Sequence, residues 1–264
     1  MEVLCMELQG RLCKEVEKID GKAKFKVDKW ERRAGGGGIS CVLENGDVFE
    51  KAGVNISVIS GNLSAQAVKE MRASISLSHA RNLNYFEVDL GNNRKCWWYG
   101  GGADLTPYYL FNEDAKHFHE QLKLACDQHN ESFYPRFKKW CDDYFYLTHR
   151  GETRGVGGIF FDDLDGTSQE KVFSFVKFID CSLLISSYLL FASEWQLVRR
   201  GRYVEFNLIY DRGTKFGLAT PEARIESILM SLPRYAQWNY CYDNSQDPRN
   251  QSLIEVLKNP KEWV

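Results

Sequence analysis

Nowhere does this chain hold the roughly 18 consecutive apolar residues that a membrane-crossing helix needs. The longest apolar-leaning stretch, 183–192, is interrupted by Ser186, Ser187 and Tyr188, so no membrane span is expected. The opening residues MEVLCMELQGRLCKEVEK lack a basic region followed by an apolar one, which speaks against a secretory signal. They also carry Glu2, Glu7, Glu15 and Glu17, residues that a mitochondrial presequence avoids. The 8 cysteines contain no C-x2-C pair, which argues against a zinc site or an iron–sulfur cluster. A chain of 264 residues needs no disulfide scaffold, so the cysteines are expected to be buried small hydrophobes in a reducing compartment. Neither sign of charge dominates: 34 Lys+Arg against 36 Asp+Glu gives a net charge of −2, which disfavours a nucleic-acid binder. Dinucleotide, phosphate-loop, H-E-x-x-H and G-x-S-x-G motifs are all missing. There is no internal repeat, and the only low-complexity run is Gly35–Gly38.

Aromatics are plentiful: 7 Trp, 13 Tyr and 16 Phe, suited to a core or to a cleft for a flat ligand. Hydrophobic residues make up 44% and charged residues 27%, which excludes general disorder. No linker interrupts the pattern, and residues 1–264 read as a single domain.

Along the chain, Leu12, Val16 and Ile19 form a helical stripe that Gly21 ends. Gly35–Gly38 must be either a flexible loop or a close backbone approach. Strands are expected at 39–43 and 48–50 around Asn45-Gly46, a hairpin signal, and at 56–59. A short helix is expected from Ser64. A second hairpin joins 85–88 to 95–99 around Gly91-Asn92-Asn93. A helix capped by Asn112 carries the stripe Ala115, Phe118, Leu122 and Ala125, and another covers 133–145. Residues 155–161 read as a central strand. Thr167 to Glu170 form a capping box before a helix with Val172, Phe175, Val176, Ile179 and Leu183 on one face. The alternation of Val204, Phe206, Leu208 and Tyr210 predicts a strand. Thr220-Pro221 predicts a helix start, and a last helix covers 251–258. Hairpins mixed with helices give an α+β class with a largely antiparallel sheet.

Three clusters can carry chemistry. In Trp97-Trp98-Tyr99-Gly100-Gly101-Gly102-Ala103-Asp104, glycines let a backbone lie close to a ligand, with Asp104 as counter-ion or proton acceptor. The alternative is a tight turn with Asp104 capping a loop. In the stretch from His149 to Asp163, Arg150 and Arg154 can hold carboxylates in bidentate fashion. Asp162 and Asp163 point oppositely on a strand, which disfavours a shared metal. In the third cluster, residues 199–217, a strand delivers Asp211 and Arg212 to a glycine turn with Lys215 beyond. Arg224 lies near the next helix. A small polyanionic ligand suits this group, and a solvated ion-pair network fits it as well. His117 and His119, two apart on a helix, cannot chelate one metal from it and are expected to be structural. Together the residues describe an aromatic, glycine-lined cleft for a flat apolar ligand with acidic side groups. They do not give the reaction.

Five blocks resemble those of oxygen-dependent coproporphyrinogen-III oxidases, in that family's order: DGKAKFKVDKWERRAGGGGISCVLENGDVFEKAGVN, WWYGGGADLTPYYL, DQHNESFYPRFKKWCDDYF, HRGETRGVGGIFFDDLD and RRGRYVEFNLIYDRGTKFGLATPEARIESILMSLP. The resemblance implies oxidative decarboxylation of two propionates of coproporphyrinogen III to vinyl groups. The products would be protoporphyrinogen IX, carbon dioxide and hydrogen peroxide. Molecular oxygen is the co-substrate, and no metal or organic cofactor is implied. It implies one large flat antiparallel sheet covered by helices on both faces, and a homodimer whose contact includes 39–48 and 203–233. By resemblance Asp104 sits over the ring centre and bonds the pyrrole N–H groups. Asp211 and Arg212 line the pocket, and Glu222, Ala223 and Arg224 contact substrate, with Arg224 pairing a propionate. The mitochondrial intermembrane space is the implied compartment, with the cytoplasm as the alternative.

The chain departs from the family in one motif, HP-x-NP-x-x-PT-x-H-x-N-x-RYFE. The corresponding run, His79 to Glu87, is shorter. Aligned from Tyr85-Phe86-Glu87, the family's proton-donor histidine falls on Ala80 and its arginine on Asn84, while Asn82 keeps the family identity. Asn82 and Asn84 are therefore expected substrate contacts. A second shortening is expected near 192–195. Either this is a shortened, catalytically impaired porphyrinogen-binding homologue, or the intact molecule carries further loops beyond these residues. A divergent enzyme for another carboxylated tetrapyrrole is a further alternative.

Overall fold

The computed structural model describes residues 2–33, 35–60, 82–89, 95–165, 168–181, 194–220 and 222–264. The helix expected from Ser64, the hairpin turn at 91–93, Ala80 and Pro221 lie outside these residues, as do Leu183 and residues 192–193 at the second expected shortening.

Helix α1 (Glu2–Asp20) precedes strands β1 (Lys26–Glu31), β2 (Gly36–Glu44) and β3 (Lys51–Ile59). They form an antiparallel sheet in the order β1-β2-β3. The Gln9 amide on α1 donates to the Ile39 and Val54 carbonyls and docks the helix on this sheet. Asn45, at φ 60°, turns β2 into β3. Asp20 braces that turn by accepting from the backbone N–H groups of Asp47, Val48 and Phe49. Burial alone would raise its pKa. The N–H donors, including that of Ala23, more than offset this and hold the carboxyl well below its usual range. A Cβ on Gly46 would fall 1.9 Å from Asp20 Oδ2, so the turn needs glycine there. Gly36–Gly38 of the glycine run prove to be strand, with Gly35 at the bend before it. A Cβ on Gly38 would meet the Trp30 ring at 2.4 Å, so the close approach is to the protein's own indole.

The second sheet runs β4 (Asn82–Asp89), β5 (Lys95–Asp104), β8 (Gly158–Leu164), all antiparallel. Helices α2 (Asn112–Asp127), α3 (Phe133–Tyr144) and α4 (Gln169–Cys181) bury Phe118, Leu122, Phe137 and Phe175 in one cluster with its Tyr99, Ala103 and Phe161. The stripe expected on α2 is buried throughout. Strands β6 (Tyr146–Leu147) and β7 (Glu152–Thr153) make a two-stranded third sheet. Then come α5 (Glu194–Glu205), a π-helical turn (Phe206–Tyr210), α6 (Arg212–Ala219), α7 (Ile225–Leu229), a 3-10 turn (Asn244–Gln246) and α8 (Pro248–Lys258).

The class is α+β, but the single large flat sheet is wrong. The described strands form three separate small antiparallel sheets of three, three and two strands. Local hairpin signals say which strands pair within a hairpin, not whether two hairpins join edge to edge. Of the strand expected at 155–161, residues 158–161 are strand within β8, but β8 stands at the outside of its sheet among the described strands rather than at its centre. The strand expected over 203–210 is helical, because its burial follows helical spacing. Trp195, Val198, Arg199, Glu205 and Phe206 are buried, while Leu208 and Ile209 are exposed. The helix expected at Thr220 starts at Ile225. Thr220 Oγ1 instead donates to the Phe216 carbonyl and closes α6.

Candidate active site

Asp104 is the last residue of β5 and is buried. The glycines before it serve strand packing. A Cβ on Gly100 would lie 2.8 Å from Asp162 Oδ1, and one on Gly102 would lie 2.8 Å from the Ile159 carbonyl oxygen. Gly158, paired with Asp104, has φ 153°, and a Cβ there would sit 2.0 Å from the Ala103 carbonyl oxygen. Only glycine allows β8 to enter this close to the acid.

The Asp104 carboxylate is held by Arg154, whose Nη2 donates to Oδ2 at 2.6 Å. Arg154 Nη1 donates to Asn207 Oδ1 at 3.1 Å. The guanidinium lies 4.0 Å from the Phe145 ring centroid, 4.8 Å from that of Tyr203 and 4.9 Å from that of Phe206. Burial works against its charge, but Asp104, Tyr203 and Asp211 more than compensate and raise its pKa. The expectation that Arg154 holds a carboxylate is met by the protein's own Asp104.

Asp211 is fully buried. It caps α6 by accepting from Thr214 N–H at 2.6 Å, and it accepts from the Tyr144 hydroxyl at 3.0 Å. The Arg212 guanidinium lies 5.1 Å from the Tyr144 centroid, and Tyr144 stacks on Phe160 at 4.5 Å. Asp211 and Arg212 are therefore delivered by a helix N-terminus, not by a strand and glycine turn. Through Tyr144, Phe160 and Arg154 they share one aromatic-walled region with Asp104.

The remaining expected site residues are placed differently. Asn82 and Asn84 stand on β4 at register positions opposite Gly102 and Gly100. Arg224 pairs with Asp28 on β1, and more distantly with Glu226 at 3.9 Å, so it ties α7 to the first sheet. The exposed Glu222 has φ 57°, and Ala223 N–H donates to the Thr220 carbonyl.

The other arginines also hold internal acids. Arg150 grips Glu205 through Nε at 2.9 Å and Nη2 at 2.6 Å. Arg199 pairs with Glu152 at 2.5 Å, and Arg200 with Glu50 at 2.8 Å. Burial alone would raise the Glu205 pKa. The bonds from Arg150 and His149 outweigh it and bring the value to about 2. The arginine cluster at 199–202 is thus a largely buried network, not a solvated one. Sequence reading missed Asn207, Tyr203, Tyr144 and Glu205. The available signal was a polar Glu205-Phe206-Asn207 run at helical spacing from buried Trp195 and Val198.

Cys13, Cys41, Cys126, Cys141 and Cys241 are thiols outside any disulfide. Among those residues no three His, Cys, Asp or Glu side chains converge as a metal site would need, and no helix is long and apolar enough to cross a membrane. An open depression of about 590 Å³ beside α8 is lined by Asp243, Ser245, Gln251, Glu255 and Lys258, among others, and none of the expected site residues borders it.

A buried carboxylate held by a buried guanidinium is compatible with a reacting site and with a structural ion pair alike, and comparison with known proteins separates the two. The family model described as coproporphyrinogen III oxidase matches residues 1–263. The chain is 51% identical over 304 positions to an oxygen-dependent coproporphyrinogen-III oxidase of Drosophila melanogaster, covering 100% of this chain and 77% of that one. It is 50% identical to the mitochondrial enzyme of Homo sapiens, covering 100% of this chain and 66% of that one. It is 44% identical to the chloroplastic coproporphyrinogen-III oxidase 1 of Arabidopsis thaliana, covering 100% and 78%. The chain belongs to the coproporphyrinogen III oxidase family. Alignment over 304 positions against 264 residues leaves at least 40 positions where this chain has no residue.

Proposed function

We propose that residues 1–264 form a single domain that oxidatively decarboxylates coproporphyrinogen III to protoporphyrinogen IX. Each of two propionates becomes a vinyl group: the side chain loses carbon dioxide and two hydrogens, and molecular oxygen is reduced to hydrogen peroxide. The two electrons that reduce each oxygen molecule come from the side chain and leave through the electron-rich pyrrole, which ends unchanged, so no organic or metal cofactor enters the balance. Family membership gives the reaction, and the observation that carries the site is Asp104, buried and fixed by Arg154 at 2.6 Å. Asp104 accepts pyrrole N–H hydrogens, and deprotonation there makes the ring attackable by oxygen. Loss of hydrogen at the propionate β-carbon then accompanies decarboxylation. Arg154 and Asn207 hold the acid still, so its position is set before substrate arrives. Asp211 and Arg212 line the pocket. Asn82, Asn84, Glu222, Ala223 and Arg224 form its outer contacts, and Arg224 must exchange Asp28 for a propionate.

The competing reading is a porphyrinogen-binding homologue with poor turnover. It is favoured by the alignment shortfall of at least 40 positions, and the family resemblance implies that Ala80 stands in the place of a proton-donor histidine. Anaerobic binding and aerobic turnover of coproporphyrinogen III on one preparation separate the two. The enzyme reading expects both, with oxygen required for turnover. Binding without vinyl product sinks it.

The working unit is a homodimer in the mitochondrial intermembrane space, with the cytoplasm as the alternative. Three mammalian relatives carry "mitochondrial" in their names. Leu208, Ile209, Phe216, Leu218 and Ile225, all within 203–233, are 39–48% exposed and suit a contact between copies. Sedimentation equilibrium should return twice the chain mass of 30.5 kDa, and a monomer at micromolar concentration refutes the dimer. Imaging the tagged protein with an outer-membrane permeabilisation control tests the compartment, and a matrix signal counts against it.

A further inference from the structure

We infer that Trp263 is a positioning residue for Arg154, acting through the loop that carries it; the inference rests on the reading of Asp104 and Arg154 as the reacting site. That loop, 153–158, brings Arg154 to Asp104 and contains Gly155, Gly157 and Gly158, two of them at positive φ. A segment this rich in glycine has little conformational preference of its own, so its geometry must come from outside contacts. On one side Val156 N–H donates to the Leu105 carbonyl at 2.9 Å, and Leu105 N–H donates to the Gly157 carbonyl at 3.0 Å. On the other, the Val156 carbonyl meets two ring nitrogens: Trp263 Nε1–H donates to it at 3.2 Å, and His119 Nε2 lies at 3.1 Å.

The chemistry of this pair is determined. A carbonyl oxygen only accepts, so His119 carries its proton on Nε2, and Nδ1 accepts from the Tyr134 hydroxyl at 2.8 Å. The imidazole and indole rings stack at 5.9 Å, 21° apart. Lys261 lies 4.8 Å from the indole centroid. Thr153 adds a second pin, its single hydroxyl hydrogen shared between the Leu257 carbonyl of α8 at 3.0 Å and the Gly155 carbonyl at 2.9 Å. The segment from α8 through Trp263 therefore holds the loop at Thr153 and at Val156, on either side of the Arg154 that grips the site carboxylate. Trp263 acts by fixing where Arg154 stands.

Trp263→Phe keeps the ring and removes the donor. It should lower kcat for coproporphyrinogen III roughly tenfold and leave KM within about twofold. Amide exchange over 153–157 should accelerate while that of β2 and β3 stays put. Asp104→Asn is measured alongside. If Asp104→Asn turns over normally, the reading of the site fails. If Asp104→Asn is inactive but folded Trp263→Phe has an unchanged kcat, or a raised KM alone, or no faster exchange over 153–157, the positioning role is overturned. Should Trp263→Phe not fold, Thr153→Val loosens the same loop through the other pin and must give the same kcat loss and faster exchange, and wild-type values for both overturn the inference.

Discussion

Replacing Asp104 with alanine lowers the unfolding free energy by about 3–5 kcal/mol, the range for stripping one partner from a buried ion pair. The Arg154 side chain has no exposed surface, and its neighbours besides Asp104 are Asn207 and three aromatic rings. Once the carboxylate is gone, the guanidinium keeps its desolvation cost and loses its hydrogen-bonded counter-charge, with Asp211 left as a weaker one. The pair is not thereby a large net source of stability, because both ions were desolvated on folding. Asp104→Leu combined with Arg154→Met should therefore recover most of the loss, while turnover stays abolished. Urea unfolding of wild type, both singles and the double reads this directly. A cost below about 1 kcal/mol for Asp104→Ala contradicts a buried, mutually dependent pair.

A second large effect is expected on lowering pH, and it comes from His119. Burial pulls its pKa down to about 4; the bond to the Val156 carbonyl opposes this, and the Lys138 charge adds to it. The unfolded imidazole titrates near 6.5. Between those values the unfolded chain binds the extra proton, so stability rises with pH across the window. The contribution is fully present above about pH 6.5 and is lost as pH falls to about 4, a loss on the order of 3 kcal/mol. His119→Gln removes the titration and should flatten the slope of unfolding free energy between pH 6.5 and 4.5. An unchanged slope in that variant assigns the acid sensitivity elsewhere.

Local patterns were the most legible part of the sequence. The stripe Ala115, Phe118, Leu122 and Ala125 faces the core because it follows the helical period closely. Asn45-Gly46 turns a hairpin because few other residues tolerate the left-handed backbone found there. Asp104 was legible as an acid following glycines, but its partner stands 50 residues away in the chain. Nothing local in the sequence connects β5 to the Arg154 loop; the β5–β8 pairing and the backbone bonds of Leu105 to Val156 and Gly157 do. The arginines were read for a ligand's acids, whereas Arg150, Arg154, Arg199 and Arg200 hold the protein's own. The same buried ion pairs disguised α5 and the turn after it. With Arg199, Arg200 and Glu205 buried, the polar–apolar pattern no longer reported which side faced the core, and an accidental alternation looked like a strand. How the strands divide into sheets depends on contacts between distant segments. The family resemblance supplied one large sheet where the described strands make three small ones.

The most direct test of the account is carbon dioxide release from coproporphyrinogen III labelled in its propionate carboxyls, comparing wild type with Asp104→Asn. The account predicts two carbon dioxide and two hydrogen peroxide per wild-type product, only in the presence of oxygen. It predicts a rate at least 100-fold lower, on the order set by loss of a preorganised charge, in a folded Asp104→Asn. Wild-type protein that binds the tetrapyrrole without releasing carbon dioxide, or an Asp104→Asn protein that releases it at the wild-type rate, contradicts it.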